Sequence, residues 1–128
     1  MEITVGMKAE VDTLVEREDT AQEVGSGVLL VYATPCMVAL MEGAACEAIA
    51  PALKETETTV GTGLNIQHIS ATPVGLEVRA VAEVTAVEGK VITFSITAYD
   101  EAGEIGKGTH TRVIVNSQKF LEKAYNKL

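Results

Sequence analysis

The clearest pattern in the chain is a period of two. Leu76, Val78, Ala80, Ala82 and Val84 fall on one face, with Glu77, Arg79, Glu83 and Thr85 among the residues opposite. That alternation predicts a half-buried strand over Leu76–Val87. Glu88-Gly89 supplies a hairpin turn, and Lys90–Tyr99 repeats the pattern with Ile92, Phe94, Ile96 and Ala98 inward. A turn at Asp100–Gly103 leads to a last strand, Ile105–Val115. Upstream, Lys8–Val15 and Thr59–Ser70 also read as strands, the second ended by Ala71-Thr72-Pro73-Val74-Gly75. The region from Thr34 to about Ala50 behaves differently. It is apolar nearly all round, stops just before Pro51, and predicts an enclosed helix rather than a surface one. Thr34 offers a hydroxyl N-cap, with Pro35 at the first helical position. Asp19–Gly25 reads as a short polar helical turn, Ser26–Tyr32 as extended, Lys54–Thr58 as a charged loop and Ser117–Asn126 as a short terminal helix.

A long helix followed by four strands with short connections predicts an α+β fold. The four strands are expected to form an antiparallel meander curved around the helix. Two such sheets, paired at an edge, would cover an otherwise exposed row of backbone groups. The length, 128 residues, fits a single domain over residues 1–128. The hydrophobic share is 47% but the aromatic share only 4%, without Trp. Val, Ala, Ile and Leu must therefore fill the core. A net charge of −8 and the lack of a Lys/Arg cluster argue against nucleic acid as a partner.

The opening Met1-Glu2-Ile3-Thr4 has no basic segment followed by an apolar stretch, so no signal peptide is expected. The run Met37–Ala50, broken by Glu42 and Glu47, is too short to span a bilayer, so no membrane partner is expected. Cys36 and Cys46 share one predicted helix about 15 Å apart along its axis, too far for a disulfide. A reduced, cytoplasmic setting follows.

Within this pattern three polar residues stand out. Glu42 interrupts an apolar run, and an ionised carboxylate among apolar side chains is costly unless paired or hydrogen-bonded. Its plain role would be a carboxylate reaching solvent at the edge of the helix, or a pair with Arg79 or Arg112. Thr34 has the plain role of a cap, and His68 that of a structural strand residue, as has His110. Together the three can supply a hydroxyl, a carboxylate that serves either as general base or as a nucleophile forming a transient anhydride, and a proton shuttle. Cys36, in the first helical turn, has the position of an activated thiol, but no His adjoins it in sequence and packing is the simpler role. Neither Cys-x-x-Cys nor His-x-x-x-His spacing is present, so no metal site is expected. Gly61-Thr62-Gly63 lies in a strand and lacks the Lys of a phosphate loop.

Ala33-Thr34-Pro35, Met41-Glu42, Val60-Gly61-Thr62, His68, Thr72-Pro73-Val74-Gly75, Ala86-Val87-Glu88-Gly89 and Gly108-Thr109-His110 together resemble the fluoroacetyl-CoA thioesterase group of the hotdog-fold superfamily. The resemblance runs roughly from Lys8 to Phe120. It implies a sheet wrapped around a central helix, edge-to-edge homodimerisation and hydrolysis of acyl-CoA thioesters. It implies Thr34, Glu42 and His68 as catalytic residues and the Gly61 amide as oxyanion donor. Coenzyme A enters only as part of the substrate, with no further cofactor, and its phosphates would need local cations from among Lys107, Arg112, Arg79 and Lys90. Arg112 is thereby a substrate-binding candidate.

One departure concerns the acyl group. The fluoroacetyl-specific pattern places phenylalanines before Ala-Thr-Pro, whereas here the segment is Val24-Gly25-Ser26-Gly27-Val28. Short-chain acyl-CoA hydrolysis is therefore the expected activity. A hydratase of the same fold would need an Asp near His68, which is lacking. A non-catalytic acyl-CoA-binding module would have no need of Glu42.

Overall fold

The computed structural model describes residues 1–128. Five strands form one antiparallel sheet: β1 (Lys8–Leu14), β2 (Glu57–His68), β3 (Glu77–Glu88), β4 (Val91–Asp100) and β5 (Gly103–Asn116). Three helices accompany them: α1 (Ala21–Val24), α2 (Thr34–Ile49) and α3 (Ser117–Tyr125). Short 3-10 turns at Arg17–Asp19 and Ala50–Ala52 precede α1 and end α2.

The alternation in β3 and β4 is realised as read. Val78, Ala80, Ala82 and Val84 are buried on one face, and Ile92, Phe94, Ile96 and Ala98 oppose them on the next strand. Against this apolar floor lies α2, through Met37, Met41, Ala44, Ala45, Ala48 and Ile49. Phe94 is fully buried; truncating so large a side chain in a core costs about 3–5 kcal/mol. Register irregularities at Val84/Ala86, Ala98/Tyr99 and Gly61/Gly63 interrupt three ladders, and such bulges bend and twist a sheet.

Three expectations need correction. The strands are not a simple four-stranded meander: the order is β1-β3-β4-β5-β2. β1 occupies the free edge of β3, from Lys8 opposite Glu83 to Leu14 opposite Glu77. That leaves β2 the far edge, beside β5, so Ala71–Gly75 belongs to a crossover rather than a hairpin. Ser26–Tyr32 is not a strand either. Only Val31 and Tyr32 make isolated bridges, to Pro73 and Thr20, and the Leu29 and Val31 carbonyls accept from Gln22 and Ala21 of α1 instead of from a strand.

The third correction concerns α2, which is enclosed on one side only. Pro35, Ala39 and Glu47 are exposed, and Val38, Glu42, Gly43 and Cys46 are partly so. Its apolar outer face is therefore open in the single chain. Cys36 and Cys46 are free thiols, and no helix is long and apolar enough to cross a membrane.

Candidate active site

Ala33, not Thr34, is the N-cap of α2, with extended backbone and no side-chain cap bond. Thr34 begins the helix, and the Pro35 ring occupies the first turn where no N–H is needed. The Thr34 hydroxyl is thus left for another partner. It lies 2.7 Å from His68 Nδ1. His68 ends β2, and the next backbone amide, Ile69 N–H, donates to the Ile105 carbonyl. Opposite His68 on β5 is Gly106. A Cβ there would stand 2.6 Å from the Met37 thioether, so the glycine lets α2 approach this end of the sheet.

Burial holds the His68 imidazole below its ordinary value of 6.5, opposed in part by a hydrogen bond at Ser70. Its Nε2 is buried without a partner. Thr34 and His68 line an open cleft of about 300 Å³. Tyr32, Val31 and Ala21 form part of its apolar wall, and the bent Ser26–Leu30 segment borders it through Ser26.

Glu42 lies elsewhere. It is eight residues beyond Thr34 on the same helix, a rise of about 12 Å. Its carboxylate is not sealed in the core; the side chain is 37% exposed. Oε2 accepts from Arg112 Nη1 at 3.1 Å and stands 3.8 Å from His110 Nε2. Arg112 is buried and donates also from Nε to Thr59 Oγ1 at 2.8 Å and from Nη2 to the Thr59 carbonyl at 2.9 Å. Arg112 is therefore not a free cation for coenzyme A phosphates: it donates to Thr59 on β2 and to Glu42 on α2. Arg79 is occupied as well, paired with Glu10 at 2.5 Å and placed 4.2 Å over the Tyr99 ring. Lys90 and Lys107 remain exposed.

Gly61 belongs to this second cluster. A Cβ on it would fall 2.7 Å from Glu42 Oε2, 3.1 Å from His110 Cε1 and 3.2 Å from Arg112 Nη1. Only glycine leaves room for the carboxylate. Gly61 opposes Arg112 and Gly63 opposes Thr111, so Thr62 is the extra residue of a bulge at this point.

The structure thus brings Thr34 to His68, and Glu42 to Gly61 and Arg112, but it does not bring these two groups together within one chain. Thr59 and the participation of His110 escaped the sequence reading. A usable signal was present: His110 and Arg112 are two apart on β5, so both face inward beside Phe94 rather than out to water.

Cys36 is half-buried, and burial, with Asp19 nearby, pushes its thiol above the ordinary value. The helix start does not activate it.

Comparison with known proteins identifies the family. A family described as fluoroacetyl-CoA-specific thioesterase matches residues 15–118. The chain belongs to that family. The fluoroacetyl-CoA thioesterase of Streptantibioticus cattleyicolor is 42% identical over 97 residues, covering 76% of this chain and 70% of that protein. The solved structure of the fluoroacetyl-CoA thioesterase FlK covers 100% of this chain and 99% of its own with a TM-score of 0.95 at 34% identity. A thioesterase superfamily member from Thermus thermophilus gives 0.88 at 34% identity, over 98% of this chain and 92% of that one. A hot-dog-like protein from Thermanaerovibrio acidaminovorans, at 21% identity and a TM-score of 0.88, shares the fold. The family member described here is accordingly a hotdog thioesterase, a hydrolase of CoA thioesters.

Proposed function

We propose that this thioesterase hydrolyses short-chain acyl-CoA as a homodimer with two composite active sites. Thr34 and His68 of one chain would face Glu42 and Gly61 of the other. One observation carries the reading. Thr34 and Glu42 are about 12 Å apart along α2, Thr34 held to His68 at the end of β2 and Glu42 to Arg112 on β5. A single thioester carbonyl cannot touch both. A second chain laid along the open face of α2 would supply the missing half. Two further features support it: the unpaired edge of β2, a surface that proteins normally cover, and the apolar outer positions Pro35, Val38 and Ala39.

In this site Glu42 is the general base. It takes a proton from water as the oxygen attacks the thioester carbon, and the Gly61 amide receives the developing oxyanion. Collapse breaks the C–S bond and releases the coenzyme A thiolate, with His68 as its hydrogen-bond partner and Thr34 orienting the ring. Arg112 fixes the Glu42 carboxylate through a charge-assisted hydrogen bond. Coenzyme A takes part only as the leaving portion of the substrate. The two free thiols fit a reducing, cytoplasmic setting.

A second assignment has an observation of its own. The 2.7 Å contact between Thr34 and His68 is that of a hydroxyl nucleophile and its base. Under it, a covalent acyl group on Thr34 accumulates in a Glu42→Gln variant and is seen by mass spectrometry. Under the general-base assignment no adduct forms.

The relatives fix the chemistry more firmly than the acyl group. A curated relative is a fluoroacetyl-CoA thioesterase, and a mutant of FlK was solved with acetyl-CoA. Here the segment before Thr34 carries Val28, Leu29 and Leu30, all exposed, and aliphatic side chains suit short alkyl groups. The test is thiol release from acetyl-, propionyl-, butyryl- and fluoroacetyl-CoA. Turnover of several short chains by the wild type, lost in Glu42→Gln by about 10²-fold or more, supports the reading. Absence of turnover on all four overturns it.

A further inference from the structure

We infer that His110 is a positioning residue for Glu42, and that it acts in one tautomer. The inference deepens the reading of Glu42 as the base and rests on it. His110 is fully buried on β5, with its ring stacked near Phe94 at 6.1 Å between centroids. Both ring nitrogens have partners whose chemistry runs one way. Nδ1 lies 2.7 Å from the Gly63 carbonyl, and a carbonyl only accepts, so Nδ1 carries the proton. Nε2 lies 3.1 Å from Arg112 Nη1, and a guanidinium only donates, so Nε2 presents its lone pair. The ring is therefore neutral, with its one proton on Nδ1.

The consequences follow the bonds outward. Nη1 of Arg112 has two protons. One goes to His110 Nε2 and the other to Glu42 Oε2, each at 3.1 Å. Without an acceptor at Nε2 the guanidinium keeps its two Thr59 bonds but loses what fixes the Nη1 end, the end that holds the carboxylate. On its other side His110 ties down the Gly63 carbonyl, which belongs to the bulge that carries Gly61. One imidazole thus sets the base and the oxyanion donor against each other. The wrong tautomer would point an N–H at a guanidinium and a lone pair at a carbonyl, breaking both contacts.

Two amide substitutions separate the two contacts. The side-chain amide of His110→Gln reaches about as far as Nε2 and restores an acceptor for Arg112. That of His110→Asn reaches only as far as Nδ1 and restores the donor to Gly63. The experiment measures kcat and KM by thiol release for His110→Ala, His110→Gln and His110→Asn, and for His110→Ala combined with Glu42→Gln. His110→Ala should lower kcat by about 10-fold or more, since a small misplacement of a reacting group is costly, with KM changed far less. His110→Gln should recover more of kcat than His110→Asn. In the Glu42→Gln background His110→Ala should change residual turnover less than twofold, because residues acting as a unit are not additive.

Equal, multiplying losses in both backgrounds would overturn the inference and leave His110 a packing residue. So would wild-type kcat in His110→Ala. If Glu42→Gln alone keeps full turnover, the reading of Glu42 fails separately and visibly. Nitrogen-15 shifts of the wild-type ring read the tautomer directly, whatever the variants do: a proton on Nδ1 supports the inference, and a proton on Nε2 or on both nitrogens overturns it.

Discussion

Adding one methyl group at Gly61 presses most strongly on the Glu42 carboxylate, the nearest of its three neighbours. In Gly61→Ala the backbone amide is kept, so the proposed oxyanion donor survives. The backbone at Gly61 is not in the left-handed region, so Ala is not strained by conformation. The new Cβ meets Glu42 Oε2 at 2.7 Å, where ordinary contact begins at 3.4 Å. His110 and Arg112, at 3.1 and 3.2 Å, are buried and need shift only by a few tenths of an ångström, whereas the Glu42 carboxylate, hydrogen-bonded to Arg112, ends a partly exposed side chain that can swing outward. Glu42 therefore yields, by about 0.7 Å. Overpacking costs about 1–3 kcal/mol, which lowers Tm by about 4–11 °C in a chain of this length. Displacing a reacting group by about 1 Å can cost on the order of 10²-fold. The expected result is a folded protein with kcat down about 10- to 10²-fold and KM little changed, read by thiol release. Gly63→Ala intrudes to 2.9 Å on Thr111 Oγ1 instead and should lose less. Wild-type kcat in folded Gly61→Ala would refute the argument that this carboxylate must sit where it does.

Other outcomes follow from single features of the site. Burial lowers His68 below 6.5, so its NMR titration midpoint should fall below that; a midpoint above 6.5 would contradict the placement. Because the folded value is the lower one, the stability linked to His68 is complete above pH 6.5 and is lost as pH falls through the folded value. Cys36 has its thiol pushed up by burial, so Cys36→Ala should keep most of kcat; complete loss in a folded variant would make it the nucleophile. Selectivity should be shallow. Apolar contact separates acyl groups by about 10–200-fold per methylene, so a fluoroacetyl preference of about 10⁴-fold over acetyl would require an element beyond the aliphatic Val28–Leu30 segment.

Much of the fold is visible in the local pattern. The period of two in β3 and β4 marks their buried face residue by residue, because a strand has only two faces. The place of β2 is not visible, since pairing with β5 rather than β3 depends on β1 filling the other edge, a choice made far away in sequence. The open face of α2 was hidden for a related reason: an apolar helix reads as enclosed whether its own chain or a second one covers it. Within the site, Thr34 and Glu42 are marked by polarity in apolar surroundings. Arg112 was legible as a partner for Glu42 but not as a buried one, because the acceptors that satisfy its other donors belong to Thr59, 53 residues away on a neighbouring strand. His110 carries no local signal for its tautomer, which is set by a carbonyl 47 residues away.

The central claim is that each active site draws on two chains, and subunit mixing tests it most directly. Thr34→Ala and Glu42→Gln are each expected to be nearly inactive alone. Unfolded together and refolded at equal amounts, they form mixed dimers, about half of the total for a symmetric pair. In each mixed dimer one composite site has Thr34 and His68 intact on one chain and Glu42 intact on the other. Thiol release should then return to about a quarter of the wild-type rate. If all three residues served within a single chain, every site in the mixture would keep a defect. No recovery above the separate variants, with mixed dimers shown by native mass spectrometry, would contradict the account.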